Sequence, residues 1–108
     1  MTTEERADHD LASLHRWAER LRQFAAAWDT DTLDDREREA FPLEWHNIIG
    51  RLAKVEAQAV SRELRPSAIL ELRRVAEELE ELLPTMQRLH LRLPDAGALE
   101  RARAVEAA

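Results

Sequence analysis

The chain has 108 residues, a formal net charge of −6 and no cysteine, which suits one domain without disulfide bonds, thiolate metal sites or cysteine nucleophiles. The acidic balance argues against nucleic-acid binding, which depends on clustered Lys and Arg, and no apolar run approaches the roughly 20 residues that span a bilayer. Two glycines, four prolines and no tyrosine leave little material for strands and turns, so the composition predicts an all-α protein.

The first predicted element is a long amphipathic helix from about Thr3 to Trp28. Thr2 and Glu5 form a capping-box pattern ahead of it. At 1.5 Å per residue this helix would be about 39 Å long. The polar N-terminus lacks the apolar stretch of a secretory signal, and a cytoplasmic location is expected. Apolar residues recur at spacings of four and three, as on one helical face, at Ala7, Leu11, Leu14, Ala18, Leu21, Ala25 and Trp28.

An acidic segment, residues 29–44, comes next and carries seven carboxylates against two arginines. Leu33 and the pair Ala40 and Phe41 fit one side of a short helix. We expect Thr32 to cap this helix and Pro42 to end it. The pattern is typical of a solvated connector that two apolar anchors hold to the rest of the protein.

A second principal helix is predicted from Leu43 to about Arg62, since Pro42 suits a first helical position. Gly50 interrupts this helix at a cost of about 1 kcal/mol relative to Ala. A third helix begins at Pro66.

Pro84 is expected to kink or restart that third helix, and an apolar face continues to Pro94. Beyond it, the sequence predicts a weakly amphipathic, Ala-rich helix or a frayed tail over residues 95–108. We therefore expect a bundle domain over residues 1–94 followed by this C-terminal segment. The predicted fold is a small antiparallel bundle of three principal helices, with a short acidic connector helix and a short C-terminal helix.

No motif for catalysis, a cofactor or a resident metal stands out. Asp29-x-Asp31 departs from a calcium loop at positions five, six and twelve. A Gly-x-Ser-x-Gly elbow and a Gly-rich phosphate loop are both missing. We expect the protein not to be an enzyme and to hold no cofactor. Glu-x-x-His pairs, which build helical di-metal sites, are absent around the four histidines, His9, His15, His46 and His90.

The most unusual cluster is the segment FPLEWHN at residues 41–47. One interpretation is that Trp45, His46 and Asn47 present a recognition surface, because Trp is enriched where binding energy concentrates. The other is that Phe41 and Trp45 attach the connector to the bundle. The second interpretation is favoured because Trp45 continues the apolar line of its helix. We expect both Trp45 and Trp28 to be largely buried.

These patterns predict a non-enzymatic protein-interaction or assembly protein. The alternative is a metal- or small-ligand-binding bundle whose site uses Trp17, His15 or His46. We predict a homodimer, because helix one, at about 39 Å, is longer than a helix two of about 30 Å and leaves apolar turns uncovered around Leu11, Leu14 or Trp28. The competing account is that the short connector helix and the segment after Pro84 fold back over the same surface. The expected partner is therefore a protein, either a second copy of the chain or a different protein, and neither nucleic acid nor a membrane. The candidate interaction surface comprises Leu11, Leu14, Trp17, Trp45, His46 and Asn47.

Overall fold

The computed structural model describes residues 2–105, of which about 80% are helical, with no strand in that range. The all-α prediction is therefore confirmed. No helix in the described range is long and apolar enough to cross a membrane. The helices are α1 (Thr3–Asp29), α2 (Asp35–Ile49), α3 (Arg51–Val60), α4 (Pro66–Glu81), α5 (Leu83–Arg88) and α6 (Ala96–Ala104).

The second principal helix of the bundle is the pair α2 and α3, which runs antiparallel to α1. Near the end of α1, Arg20 lies 3.9 Å from Glu44 of α2. Further back along α1, the Arg51 guanidinium of α3 donates a hydrogen bond to the Ser13 hydroxyl over 2.9 Å. The contacts thus proceed backwards along α1 as the chain moves forward through α2 and α3.

The chain then reverses twice more. Arg65, just before α4, binds Asp8 near the start of α1, and Arg88 of α5 binds Asp29 at its end, so α4 and α5 run parallel to α1. Helix α6 returns in the opposite direction. It packs on α3 and α4, the two helices that α1 contacts from the other side. The result is an up-and-down bundle 46 × 28 × 17 Å in extent.

The C-terminal segment contributes to the bundle as α6. Asp95 caps this helix, its carboxylate accepting the Ala98 N–H over 2.7 Å. Ala98, Leu99 and Ala102 are buried against α3 and α4. The tail alternative is therefore wrong for Ala96–Ala104, because this apolar stripe finds a partner; residues 106–108 lie outside the described range.

The start of α2 differs from the prediction. Asp34, not Thr32, caps the helix, and its carboxylate accepts the Glu37 N–H over 2.7 Å. The Thr32 hydroxyl instead donates back to the Ala27 carbonyl at the end of α1. A carboxylate also suits the positive end of the helix dipole better than a hydroxyl does.

The prediction that Pro42 separates two helices is wrong, because α2 continues through it and ends at Ile49, with Gly50 as its C-cap. An interior proline removes one main-chain hydrogen bond and costs about 3 kcal/mol. Continuity of the helix places Phe41 and Trp45, four residues apart, on one buried face. Burial of two large aromatic side chains offsets the cost of the proline.

The apolar face of α1 is largely covered within the chain. Leu11 and Leu14 are both buried, so the expectation of uncovered apolar turns at these two positions is wrong. Helices α3 and α4 lie over this half of α1. Trp28 is 39% exposed, so the prediction of its burial is wrong. It lies in the last turn of α1, where its ring contacts Phe24 on one side and the Arg38 guanidinium on another.

Candidate interaction surface

All five aromatic residues of the chain, three Trp and two Phe, form one cluster between α1 and α2, which we call the aromatic cluster. At its centre Phe24 and Phe41 stack, with ring centroids 4.2 Å apart and planes 11° apart. Phe41 also contacts Trp17 and Trp45, at 5.7 and 6.1 Å. Trp28 joins through Phe24 at 6.1 Å. Such pairs add about 0.5–1.5 kcal/mol beyond their buried area, so the cluster fixes α2 on α1.

Two arginines cover the outer members of the aromatic cluster. The Arg20 guanidinium lies 4.0 Å from the centre of the Trp17 ring, and that of Arg38 lies 4.9 Å from the Trp28 ring. Arg38 also donates a hydrogen bond to Asp31 over 3.1 Å. Cation–π contacts of this kind hold the charged head in place beside the apolar ring.

An open groove of about 530 Å³ lies beside the aromatic cluster, between α1 and α2; we call it the α1–α2 groove. Its α1 wall consists of Arg20, Gln23, Phe24 and Ala27. These positions have the spacing i, i+3, i+4 and i+7, which is one face of a helix.

The opposite wall of the groove repeats the same spacing on α2. The residues with this spacing are Glu37, Ala40, Phe41 and Glu44, and Leu33, Asp34 and Arg36 complete the lining on this side. Stacked Phe24 and Phe41 form the apolar floor where the two walls meet. The two floor rings are each only 6% exposed, so the groove between these antiparallel helices combines a narrow apolar floor with charged side chains of both signs.

The structure does not bring the six predicted surface residues together. Leu11 and Leu14 lie in the bundle core, and Trp17 is partly buried in the aromatic cluster. His46 and Asn47 are exposed. Trp45 is 1% exposed, so it attaches α2 to the bundle and does not present a recognition surface. No single exposed surface contains all six.

Sequence reasoning missed the groove residues Gln23, Ala27 and Ala40. The signal was present as two matching helical stripes, residues 20–27 and 37–44. The second stripe crosses Pro42, where the predicted helix ended, so its continuity was not apparent.

Two buried carboxylates lie in the bundle, away from the groove. Glu56 is 5% exposed and accepts a hydrogen bond from the Arg101 guanidinium over 2.5 Å. This hydrogen bond, and next the attraction between the two charges, raises the pKa of Arg101 above its ordinary value. Asp10, also buried, lies 3.9 Å from the Arg51 guanidinium. Both pairs join helices, and neither opens into a cavity among those described.

The histidine environment is also distinct from the groove. His15 Nδ1 lies 2.5 Å from Glu78, which accepts a second hydrogen bond from Arg22 over 3.3 Å. Within residues 2–105, no three or more His, Asp or Glu side chains are grouped so that they could hold a metal ion.

No protein-family model, curated protein or solved structure matches the chain.

Proposed function

We propose that the protein is a non-enzymatic interaction protein of the cytoplasm that binds a protein partner in the α1–α2 groove. The observation that supports this is the open groove of about 530 Å³ between α1 and α2, which has the stacked rings of Phe24 and Phe41 at its floor. Arginine is enriched among the residues that contribute most to binding energy at interfaces, and Arg20 and Arg36 both line the groove.

The rigidity of the groove favours binding. Phe24 and Phe41 are already held in place by their mutual stacking and by Trp17 and Trp45. Immobilising a free side chain on association costs about 0.5–1.5 kcal/mol. A partner that meets side chains already fixed avoids much of this cost.

A small-molecule ligand is the alternative, because pockets for such ligands occupy about 300–1,000 Å³ and the groove falls in this range at about 530 Å³. Small-ligand sites bury most of their ligand. The α1–α2 groove is an open trough, which suits a segment of another protein better. Mass spectrometry of protein purified under native conditions would reveal a retained molecule and overturn the preference.

We also propose self-association, but through a different surface from the one that the sequence suggested. The sequence suggested pairing through α1 around Leu11 and Leu14, but α3 and α4 cover these residues. A second copy would have to use another surface. The groove is the surface we propose for any protein partner, and the experiment below distinguishes a second copy from a different protein.

Site-specific photo-crosslinking tests the proposal in cells of the source organism. A photoreactive amino acid at Gln23, inside the groove, should yield an adduct with a partner. The same amino acid at Ala12, exposed on α1 outside the groove, is the matched control and should not. Ala40→Gln, which places a longer side chain in the groove, should abolish the Gln23 adduct.

The outcomes separate clearly. An adduct of twice the chain mass identifies a second copy as the occupant of the groove. An adduct at Ala12 as strong as that at Gln23, or one insensitive to Ala40→Gln, would show that the groove is not the docking site. Absence of any adduct at Gln23 would also count against the proposal.

A further inference from the structure

Helix α6 forms the outer layer on one side of the bundle. It packs on α3 and α4, and α1 contacts the same two helices from their other side. Removal of α6 would therefore leave the packing of α1 on α3 and α4 in place. It would expose to water the side of α3 and α4 that α6 covers.

The apolar contacts that hold α6 are few. Its buried side chains are Ala98, Leu99 and Ala102. The free energy of burial scales with apolar area, and the methyl group of an alanine supplies little of it. By comparison, the buried residues of α4 include Leu72 and Leu79. Burial therefore stabilises the docking of α6 much less than it stabilises that of α4.

The packing beside α6 is also incomplete. An open cleft of about 370 Å³ runs along α6, and its lining includes Leu83 of α5 and Leu99 of α6. Side chains that face a gap lose dispersion contacts on that side. Leu99, the largest of the buried side chains of α6, therefore gains less from packing than a fully enclosed leucine does.

Two ion pairs complete the attachment of α6. Arg101 donates a hydrogen bond to Glu56 of α3 over 2.5 Å, and Arg103 pairs with Glu80 of α4. The Glu56 side chain is 7% exposed and that of Arg101 58% exposed, so the carboxylate is out of water while much of the guanidinium is not. The cost of removing a charge from water can equal or exceed the attraction within such a pair. The Glu56–Arg101 pair therefore adds little net strength to the docking of α6.

The chain is fixed to α2 just before α6. The main-chain carbonyl of Arg92 accepts a hydrogen bond from the Trp45 indole, and the Arg92 guanidinium donates one to the His46 carbonyl. Of the next two residues, Leu93 is 42% exposed and Pro94 is buried. Within the described residues, no main-chain hydrogen bond ties these two to the bundle. The fixed part of the chain therefore ends at Arg92.

We infer that α6 is a hinged cover, which swings away from α3 and α4 about residues 93–94 while the other helices stay folded, and that the Glu56–Arg101 pair locks it closed. Opening returns the Glu56 carboxylate to water. Loss of Arg101 alone would leave that carboxylate buried without its cation, which is much more costly than the loss of both charges. The inference does not depend on the α1–α2 groove.

Amide hydrogen exchange of the unmodified protein, followed by NMR, tests whether α6 opens separately. The amide of Ala102 should be protected at least about a hundredfold less than that of Val75 in α4. The Trp45 indole N–H should remain far better protected than Ala102, because it lies on the fixed side of the hinge. Dilute urea should speed exchange at Ala102, with a smaller slope than at Val75, since urea promotes the exposure of a whole helical face but not the fraying of single residues.

A destabilising substitution in α1 separates opening of α6 from global unfolding. Leu21 is buried in α1, and α1 stays packed when α6 opens. Leu21→Ala should therefore lower the protection of Val75 by at least about thirtyfold and leave that of Ala102 unchanged. Circular dichroism confirms that the variant remains helical.

Substitutions on α6 test the lock. Arg101→Met should lower the protection of Ala102 and Val75 by the same factor, at least about tenfold, because α6 is undocked in both the open and the unfolded protein. Arg103→Met breaks the more exposed pair between α6 and α4; it is the matched control and should lower protection by less than about threefold. Adding Glu56→Leu to Arg101→Met should restore protection to within about threefold of the unmodified protein.

Each part of the inference has an outcome that overturns it. If Leu21→Ala lowers the protection of Ala102 as much as that of Val75, α6 opens only when the whole protein unfolds. Exchange of the Trp45 indole together with Ala102 would contradict the hinge after Arg92. Equal effects of the two arginine substitutions, or no recovery on adding Glu56→Leu, would show that the Glu56–Arg101 pair is not the lock.

Discussion

The indole N–H of Trp45 donates a hydrogen bond to the main-chain carbonyl of Arg92 over 2.9 Å. The two residues are 47 positions apart in the sequence, and the bond joins α2 to the irregular segment before α6. Arg92 returns a second bond, its guanidinium donating to the His46 carbonyl over 2.7 Å. The Trp45 side chain is buried, and a buried N–H group needs an acceptor, so this bond joins α2 to the segment that leads into α6.

Replacement of Trp45 tests this role. Trp45→Phe keeps an aromatic ring but removes the hydrogen bond to the Arg92 carbonyl, and we expect a loss of about 0.5–1.5 kcal/mol in the free energy of unfolding. Trp45→Ala should cost about 3–5 kcal/mol. Urea denaturation followed by circular dichroism measures both. Trp28→Ala, at a residue 39% exposed, is the control and should cost less; equal losses for the two alanine variants would contradict the assignment of Trp45 to the core.

Gly50 separates α2 from α3 although its backbone is helical, with φ −65° and ψ −19°. A Cβ added there would meet only ordinary contacts, the nearest being Arg92 Nη1 at 3.5 Å. Gly50→Ala should therefore stabilise the protein by about 0.4–1 kcal/mol, through a less flexible unfolded chain. At Gly97 the added Cβ would lie 3.0 Å from the Arg101 guanidinium, the partner of Glu56. Gly97→Ala should therefore stabilise the protein by less than Gly50→Ala does. If thermal unfolding showed a larger stabilisation for Gly97→Ala, the steric explanation would be wrong.

Arg62 follows α3 with a φ of +58°, in the left-handed region. This conformation costs a residue with a Cβ about 1–2 kcal/mol, and glycine avoids the cost while losing more entropy on folding. Arg62→Gly should raise the free energy of unfolding by about 0.5–1 kcal/mol. Ser61→Gly, one residue earlier at a φ of −78°, has no such strain to relieve. Chemical denaturation of both variants checks this, and stabilisation by Ser61→Gly alone would contradict it.

Asp10 and Arg51 should respond unequally to substitution. Asp10 is buried, and within the described residues one carboxylate oxygen has no hydrogen-bond partner. Arg51→Met would remove the nearest cation and the donor to Ser13, with a cost of about 1–3 kcal/mol. Asp10→Ala should cost less, because it removes the buried charge while the partly exposed Arg51 still reaches water.

A double-variant cycle provides the check on that pair. Asp10→Ala introduced into the Arg51→Met protein should restore stability, since no unpaired buried carboxylate then remains. If the two single losses simply add in urea denaturation, Asp10 and Arg51 do not depend on one another.

Much of the candidate site was not accessible to sequence reasoning. The aromatic residues were recognised individually, but Trp17 and Trp45 belong to one cluster only because α2 folds back antiparallel on α1. The α2 wall was divided at Pro42, since a local rule ends helices at proline. The free energy gained by burying Phe41 and Trp45 outweighs that rule. This gain depends on residues of α1 that are distant in the sequence.

The sequence by itself determined the helical class, the start of α1 after its Thr2 cap, the start of α4 at Pro66 and the interruption before Pro84. These features depend on periodicity, capping and the missing N–H of proline, which act within a few residues. Only the tertiary structure decided that α2 passes through Pro42, that Trp28 is partly exposed and that Phe24 and Phe41 floor a groove. Each of these depends on which helical faces meet, and contacts between distant segments have no local pattern that specifies them.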